Sequence, residues 1–317
     1  MKEVAKIIIY LLGVVVLGAL LTPLVFWTLR AVEPWALANG LMKWDPHESD
    51  VLVRGPLGFV TTDVQQCFNR ALLIAAMLLF VPATWALEIS GTKGLRLHHD
   101  PRRWDHLLRG IAIGAIPLIF LGAGYVLANA YRPRTSVPIE QLPKIFTVAL
   151  FTAVVEEFIF RGAFLGIFFR AMRQYLALFL ATLLFATFHF LQPSQSVVIS
   201  HVNWSTGFQL LPHVFYQFTD PMLLLTAFLP LLVFGWLLSY ARFRTESLWM
   251  SVGLNFGVAF IVAVHSAFTV QIAAKLPWVG NNLRTGLIGT LALTVILGVA
   301  WWRLDHEDLL PHSKSRD

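Results

Sequence analysis

Eight long apolar blocks decide what this chain can become. They run roughly Val4–Trp27, Ala71–Ser90, Leu108–Ala130, Leu142–Phe169, Tyr175–Leu191, Pro221–Ala241, Ser247–Thr269 and Thr285–Trp302. A block of about 18 or more apolar residues is long enough for a transmembrane helix. Composition agrees: 57% of the 317 residues are hydrophobic and 13% are charged, against about a quarter charged in a soluble domain. The expected fold is all-α, a polytopic membrane helix bundle of about eight transmembrane helices, forming one membrane domain over residues 1–317.

Charge placement sets the expected orientation. The net charge is +6 and the pI is near 9.7, but the basic residues sit in short segments between apolar blocks. Lys93, Arg96, Arg102, Arg103, Arg170, Arg173, Arg242 and Arg244 fall on one side. The positive-inside bias puts that side and both termini in the cytoplasm, most simply at a bacterial inner membrane. No basic stripe alternates with aromatics on a polar face, so no nucleic-acid partner is expected. Lys2 and Lys6 precede the run Ile7–Trp27. That run is longer than a signal-peptide core and reads as an uncleaved first helix. Cys67 stands alone, so no intrachain disulfide is expected. Two long outer loops are expected at Thr28–Arg70 and Gln192–Asp220. The second lacks Lys and Arg and carries His201, Trp204, His213, Phe215 and Tyr216.

The fourth block holds Glu156, Glu157 and Arg161. Each such charge at a helix centre costs about 2.5–3.5 kcal/mol on insertion scales, so these side chains must face a bundle interior or a wet cavity. Glu157 and Arg161 are four apart with Glu first, the favourable helical pairing. Glu156 is turned about 100° from Glu157 and is the carboxylate left to meet another helix. A desolvated carboxylate of this kind can move protons near neutral pH.

The fifth block ends Phe185-Ala-Thr-Phe-His189. His189 reads either as an interfacial residue or as a partner brought to Glu156 by an antiparallel helix. The seventh block runs Ser247-Leu-Trp-Met-Ser-Val-Gly-Leu-Asn255. Asn255 reads either as interhelical glue worth about 1 kcal/mol or as a donor toward developing negative charge. Gly162 with Gly166, and Gly253 with Gly257, give small-xxx-small spacing on the fourth and seventh spans. Those two helices are therefore expected to approach closely.

Glu156-Glu157-Phe-Ile-Phe-Arg161-Gly162, followed by Phe185-x-x-x-His189, resembles the CPBP intramembrane proteases, the CAAX prenyl protease and bacteriocin-processing (Abi) enzymes. The resemblance covers about Leu142–Phe260, so 142–260 is the expected catalytic core. In the family's third motif, His-x-x-x-Asn after Ser-Leu-Trp, this chain has Ser247-Leu248-Trp249 in place. Asn255 takes the His position and Ala259 the Asn position. The resemblance implies an eight-helix fold and peptide-bond hydrolysis in or near the bilayer. Glu156 would activate water, His189 would assist, and Glu157 and Arg161 would hold the site. An amide at 255 can donate a hydrogen bond but cannot act as acid or base at neutral pH.

The expected function is an intramembrane glutamic-type endopeptidase acting on a membrane-associated protein or peptide in the lipid bilayer. By the charge argument its site lies between mid-bilayer and the outer surface, which suits exported or sorted substrates. No cofactor and no metal are expected: zinc sites usually take three protein ligands plus water, and the sequence offers Glu156, Glu157 and His189 without a His-Glu-x-x-His run. His265 falls about 15 Å beyond Asn255 along its helix and does not replace the missing His. The altered third motif leaves open a non-catalytic immunity or scaffold protein. A proton-coupled transporter would show inverted repeats and broken helices, and neither stands out.

Overall fold

The computed structural model describes residues 2–38, 64–86, 102–135, 139–191, 193, 197, 199, 201–272 and 276–307. These sort into two compact units, Met1–Glu88 with Leu191–Asp220, and Ile89–Phe190 with Pro221–Asp317.

The first unit is built on α1 (Lys2–Ala38) and α2 (Val64–Ala86). Gly18 lets the two approach, since a Cβ there would meet Leu72 Cα at 3.0 Å. Tyr10 donates to Ala76 O at 2.8 Å. The short helix α7 (Thr206–Leu210) lies on α1 at Gly207, where a side chain would overlap the Ala19 backbone. Ala19, Phe68, Leu210 and Val214 form the core. The expected outer loop Thr28–Arg70 is largely helix at both ends: α1 runs on to Ala38, and α2 begins at Val64. No glycine interrupts Thr28–Ala38, and Arg30 pairs with Glu33 one turn on at 3.8 Å, a spacing that supports helix. The expected apolar stretch Val51, Leu52 and Val53 lies outside the described residues. In the other expected loop, His201 and His213 are exposed.

The second unit contains α3 (Arg103–Leu127), α4 (Leu142–Glu157), α5 (Leu165–Ala171), α6 (Gln174–Phe190), α8 (Pro221–Leu223), α9 (Leu229–Thr245), α10 (Leu248–Phe268) and α11 (Leu287–Glu307). A small antiparallel ribbon pairs β1 (Tyr131–Pro133) with β2 (Thr269–Gln271), with Tyr131 opposite Gln271. It ties the end of α3 to the end of α10. Ser247 caps α10, its hydroxyl accepting from Trp249 N at 3.3 Å.

The glycine spacing on α10 is used, but against a different partner from the one expected. A side chain at Gly253 would overlap Leu107 O of α3, and a Cβ at Gly257 would lie 2.7 Å from Ile111 O. Gly110 and Gly114 of α3 answer from the other side, at 2.5 Å from Met250 O and 2.8 Å from Leu254 O. Two small-xxx-small pairs thus face each other, and α3 and α10 meet backbone to backbone. A Cβ at Gly162, by contrast, would meet Leu248 Cδ1 at 3.6 Å and Glu157 O of its own chain segment at 3.8 Å, both ordinary van der Waals contacts.

Five helical stretches are long and apolar enough to cross a membrane: Ile8–Trp35, Arg103–Leu127, Pro221–Thr245, Leu248–Phe268 and Leu287–Leu304. Val64–Leu79 and Gln174–Phe190 are shorter apolar helices. The expected span Leu142–Phe169 is α4, a π-helical stretch Phe158–Phe164, and then α5. By length and hydropathy five stretches among the described residues qualify as crossings, and the expected count of eight is not established. Exposure is inverted relative to a soluble protein: Leu108, Phe120, Phe151 and Leu291 face outward, while Glu157, Arg161, Ser251 and Asn255 are buried. With no water in the bilayer core to hydrate them, polar side chains turn inward. The chain is an integral membrane protein.

Candidate active site

All five residues singled out in the sequence meet in the second unit. Glu157 and Arg161 form the expected pair, Nη1 to Oε1 at 3.0 Å, with both side chains fully buried. The pair survives although Arg161 lies in the π-helical stretch. Such widened turns recur at functional sites. Arg161 is further held by Gly235 O, which accepts from Nη2 at 3.1 Å. The ring of Phe185 lies 4.2 Å from its guanidinium carbon, a favourable cation–π placement. Ser251 stands beside the Glu157 carboxyl, while its hydroxyl donates to Leu248 O at 3.0 Å.

Glu156 turns the other way. Its Oε1 is 3.1 Å from His189 Nε2, and the two side chains are 17% and 21% exposed. His189 Nδ1 is 2.9 Å from Phe185 O. A carbonyl only accepts, so Nδ1 carries a hydrogen, and that fixes the tautomer. In the neutral ring Nε2 would then offer a lone pair to a carboxylate oxygen. The 3.1 Å contact therefore holds a proton between them, on one partner or the other. The pair stores one proton and can both take and give one. Phe185 serves twice, its ring on Arg161 and its carbonyl on His189.

Asn255 joins the two glutamates. Its Nδ2 donates to Glu156 Oε2 at 3.0 Å and to Glu157 Oε1 at 3.0 Å. Carboxylates only accept, which fixes the amide orientation. Both amide hydrogens are committed, so in this arrangement Asn255 clamps the carboxylates together. His265 lies elsewhere, against Tyr131 with ring centroids 4.8 Å apart, as its distance along the helix requires. Among the described residues no group of three or more His, Cys, Asp or Glu side chains converges as metal ligands would.

Arg284, not among the expected site residues, lies within electrostatic reach of Glu156, as the weakest of the influences on that carboxyl. It sits in the turn before α11, where Asn282 Oδ1 accepts from the backbone N–H groups of Arg284 and Thr285 at 3.1 and 3.2 Å. Burial lowers the pKa of the Arg284 guanidinium, and the charge of Glu156 opposes that shift. No local signal marks Arg284, since an arginine at the start of a span is ordinary. Ser251 had a signal: it lies four residues before Asn255, on the same helix face.

No curated protein and no solved structure matches the chain. One family model does, that of the type II CAAX prenyl endopeptidase Rce1-like proteins, over residues 138–261. The matched stretch contains Glu156, Glu157, Arg161, His189 and Asn255. Over residues 138–261 the chain is thus similar to the Rce1-like type II CAAX prenyl endopeptidases.

Proposed function

We propose that this protein is an intramembrane endopeptidase of the glutamic type, in which Glu156 activates water and His189 assists. The observation that carries the reading is the Glu156–His189 contact at 3.1 Å, partly exposed while Glu157 and Arg161 are sealed. Glu156 takes a proton from water and the resulting hydroxide adds to the scissile carbonyl. His189 supplies the proton that leaves with the amine. Glu157, Arg161 and Asn255 position the reactive carboxylate. A zinc route would need a third ligand, and the nearest carboxylate, Glu157, is already held by Arg161 and Asn255. Residues 142–260 act as the catalytic core of one membrane domain, in a bacterial inner membrane. The substrate is a membrane-associated protein cut beside a lipidated or transmembrane segment.

The test uses purified protein in micelles and two quenched-fluorescent probes. One is a farnesylated peptide ending in Cys-aliphatic-aliphatic-X; the other is a single transmembrane helix with an outer extension. Glu156→Gln and His189→Ala are each expected to lower turnover by about 10²–10⁴-fold, the range for a lost general acid or base. Cleavage by Glu156→Gln at the wild-type rate would end this reading. The commitment of both Asn255 amide hydrogens favours a second one, a scaffold that holds a membrane peptide without cutting it. Binding of either probe with no hydrolysis after prolonged incubation would select it.

A further inference from the structure

A cleft of about 680 Å³ opens between α3, the start of α10 and the end of α11. Its volume falls among those of small-molecule sites, about 300–1,000 Å³. From α3 it is lined by His106, Arg109, Ile113 and Ile116, and from α11 by Val299 and Arg303. The α3 residues recur every three or four positions, so they form one stripe along the helix. Its N-terminal end is basic and the rest is aliphatic. Leu283, just before α11, lies 3.6 Å from where a Cβ would stand on Gly122, near the other end of α3. The two helices therefore run antiparallel, and the Arg303 end of α11 returns to the Arg109 end of α3.

Three features identify what fits there. The first is charge. Two arginines and a histidine line the cleft, and no carboxylate does among the described residues. Asp105, one turn before Arg109, holds that guanidinium through Nε at 2.8 Å. The second is depth. His106 to Pro117 spans about 16 Å of helix, close to the roughly 15 Å of hydrocarbon in one leaflet. The third is level. Trp104 and Trp302 are more than half exposed. Each lies under the guanidinium of a neighbour, Arg103 at 5.7 Å and Arg303 at 5.5 Å. Exposed indoles beside arginines mark the headgroup region.

We propose that this cleft seats an anionic phospholipid from the leaflet on the basic side of the protein. Its phosphate lies between Arg109 and Arg303, and one acyl chain runs along Ile113, Ile116 and Val299. Guanidinium suits phosphate geometrically, and basic pockets between membrane helices attract acidic headgroups. A soluble anion would leave the aliphatic stripe bare. A zwitterionic lipid would bring its own cation to the arginines. The seat is separate from the carboxylate site: Met250, which lines it from α10, is turned about 140° from Asn255. Yet the Met250 carbonyl stands 2.5 Å from where a Cβ on Gly110 would lie. The lipid thus borders the α3–α10 contact and ties α11 to it, so binding stabilises the fold. None of this depends on the protease reading.

The experiment uses the full chain in detergent micelles with dioleoyl phosphatidylglycerol or dioleoyl phosphatidylcholine. Native mass spectrometry counts retained lipid, and thermal unfolding is followed in parallel. Phosphatidylglycerol is expected to be retained at least fivefold better and to raise the unfolding midpoint by about 3 °C or more. Arg109→Gln with Arg303→Gln should weaken its retention about fivefold per arginine. Arg303→Gln alone keeps the Asp105 pair and serves if the double variant does not fold. Val299→Trp, which fills the aliphatic part and keeps both arginines, should also expel the lipid. Arg170→Gln with Arg173→Gln, on the same basic side but outside the cleft, should retain it. Equal retention of the two lipids, or undiminished retention by the Arg303 or Val299 variants, overturns the proposal. So does an equal loss in the Arg170 and Arg173 control, which would mean diffuse attraction to a basic surface. If glycerol 3-phosphate raises the midpoint as far as phosphatidylglycerol does, the cleft is a site for free phosphate and the lipid assignment falls.

Discussion

Glu156 and Glu157 are adjacent in the chain and live in opposite surroundings. One reaches an imidazole near an opening; the other is sealed against a guanidinium. This division gives a stability prediction. Removing one partner of a buried ion pair strands the other charge, at about 3–5 kcal/mol. Arg161→Ala is expected to lose that much in reversible unfolding in mixed micelles, while Glu156→Gln loses under 1 kcal/mol. Equal losses for the two variants would show that the division is wrong. The Glu157–Arg161 pair was legible in the sequence because the spacing of four is local. The Glu156–His189 pair was legible through two motifs some thirty residues apart. The Asn255 clamp was not, because it depends on how far α10 is rotated about its axis. Arg284 was not, because nothing in its own segment distinguishes it from other arginines at membrane boundaries.

At the scale of elements, the position of Asn255 is set by backbone contact between α3 and α10. The spacing of Gly253 and Gly257 tells that some helix comes close but not which one. The partner pair, Gly110 and Gly114, lies some 140 residues earlier, outside the family-matched stretch. Gly253→Val would drive a branched side chain into Leu107 O, and such overpacking costs about 1–3 kcal/mol. The expected outcome is lowered stability together with lost turnover, as α10 withdraws Asn255 from the carboxylates. A stable, fully active Gly253→Val would mean that α10 is placed by something else. The π-helical stretch Phe158–Phe164 was likewise invisible in the sequence. It carries no proline, and its widening reflects the demands of Arg161 on Glu157, Gly235 and Phe185 together.

For the whole molecule, hydropathy foresaw an all-α membrane protein, because apolar blocks of this length have few other solutions. It did not foresee the helical ends of Thr28–Arg70, where charged residues hide a continuing helix. The charge bias of the connecting segments predicts where the termini lie. A green fluorescent protein fused after Asp317 should fluoresce in bacterial cells, and alkaline phosphatase at the same place should stay inactive. An active phosphatase there would reverse the orientation. The shared proton has a final consequence for how the protein sits in an energised cell. Counting it, the four contacting side chains, Glu156 and Glu157 on one side and Arg161 and His189 on the other, sum to zero, with Arg284 a separate charge outside these contacts. Transmembrane voltage does about 2.3 kcal/mol of work per elementary charge per 100 mV, and a quartet without net charge gives it nothing to pull on. Voltage therefore does no work on the quartet displaced as a unit, and acts only on a proton that enters or leaves it.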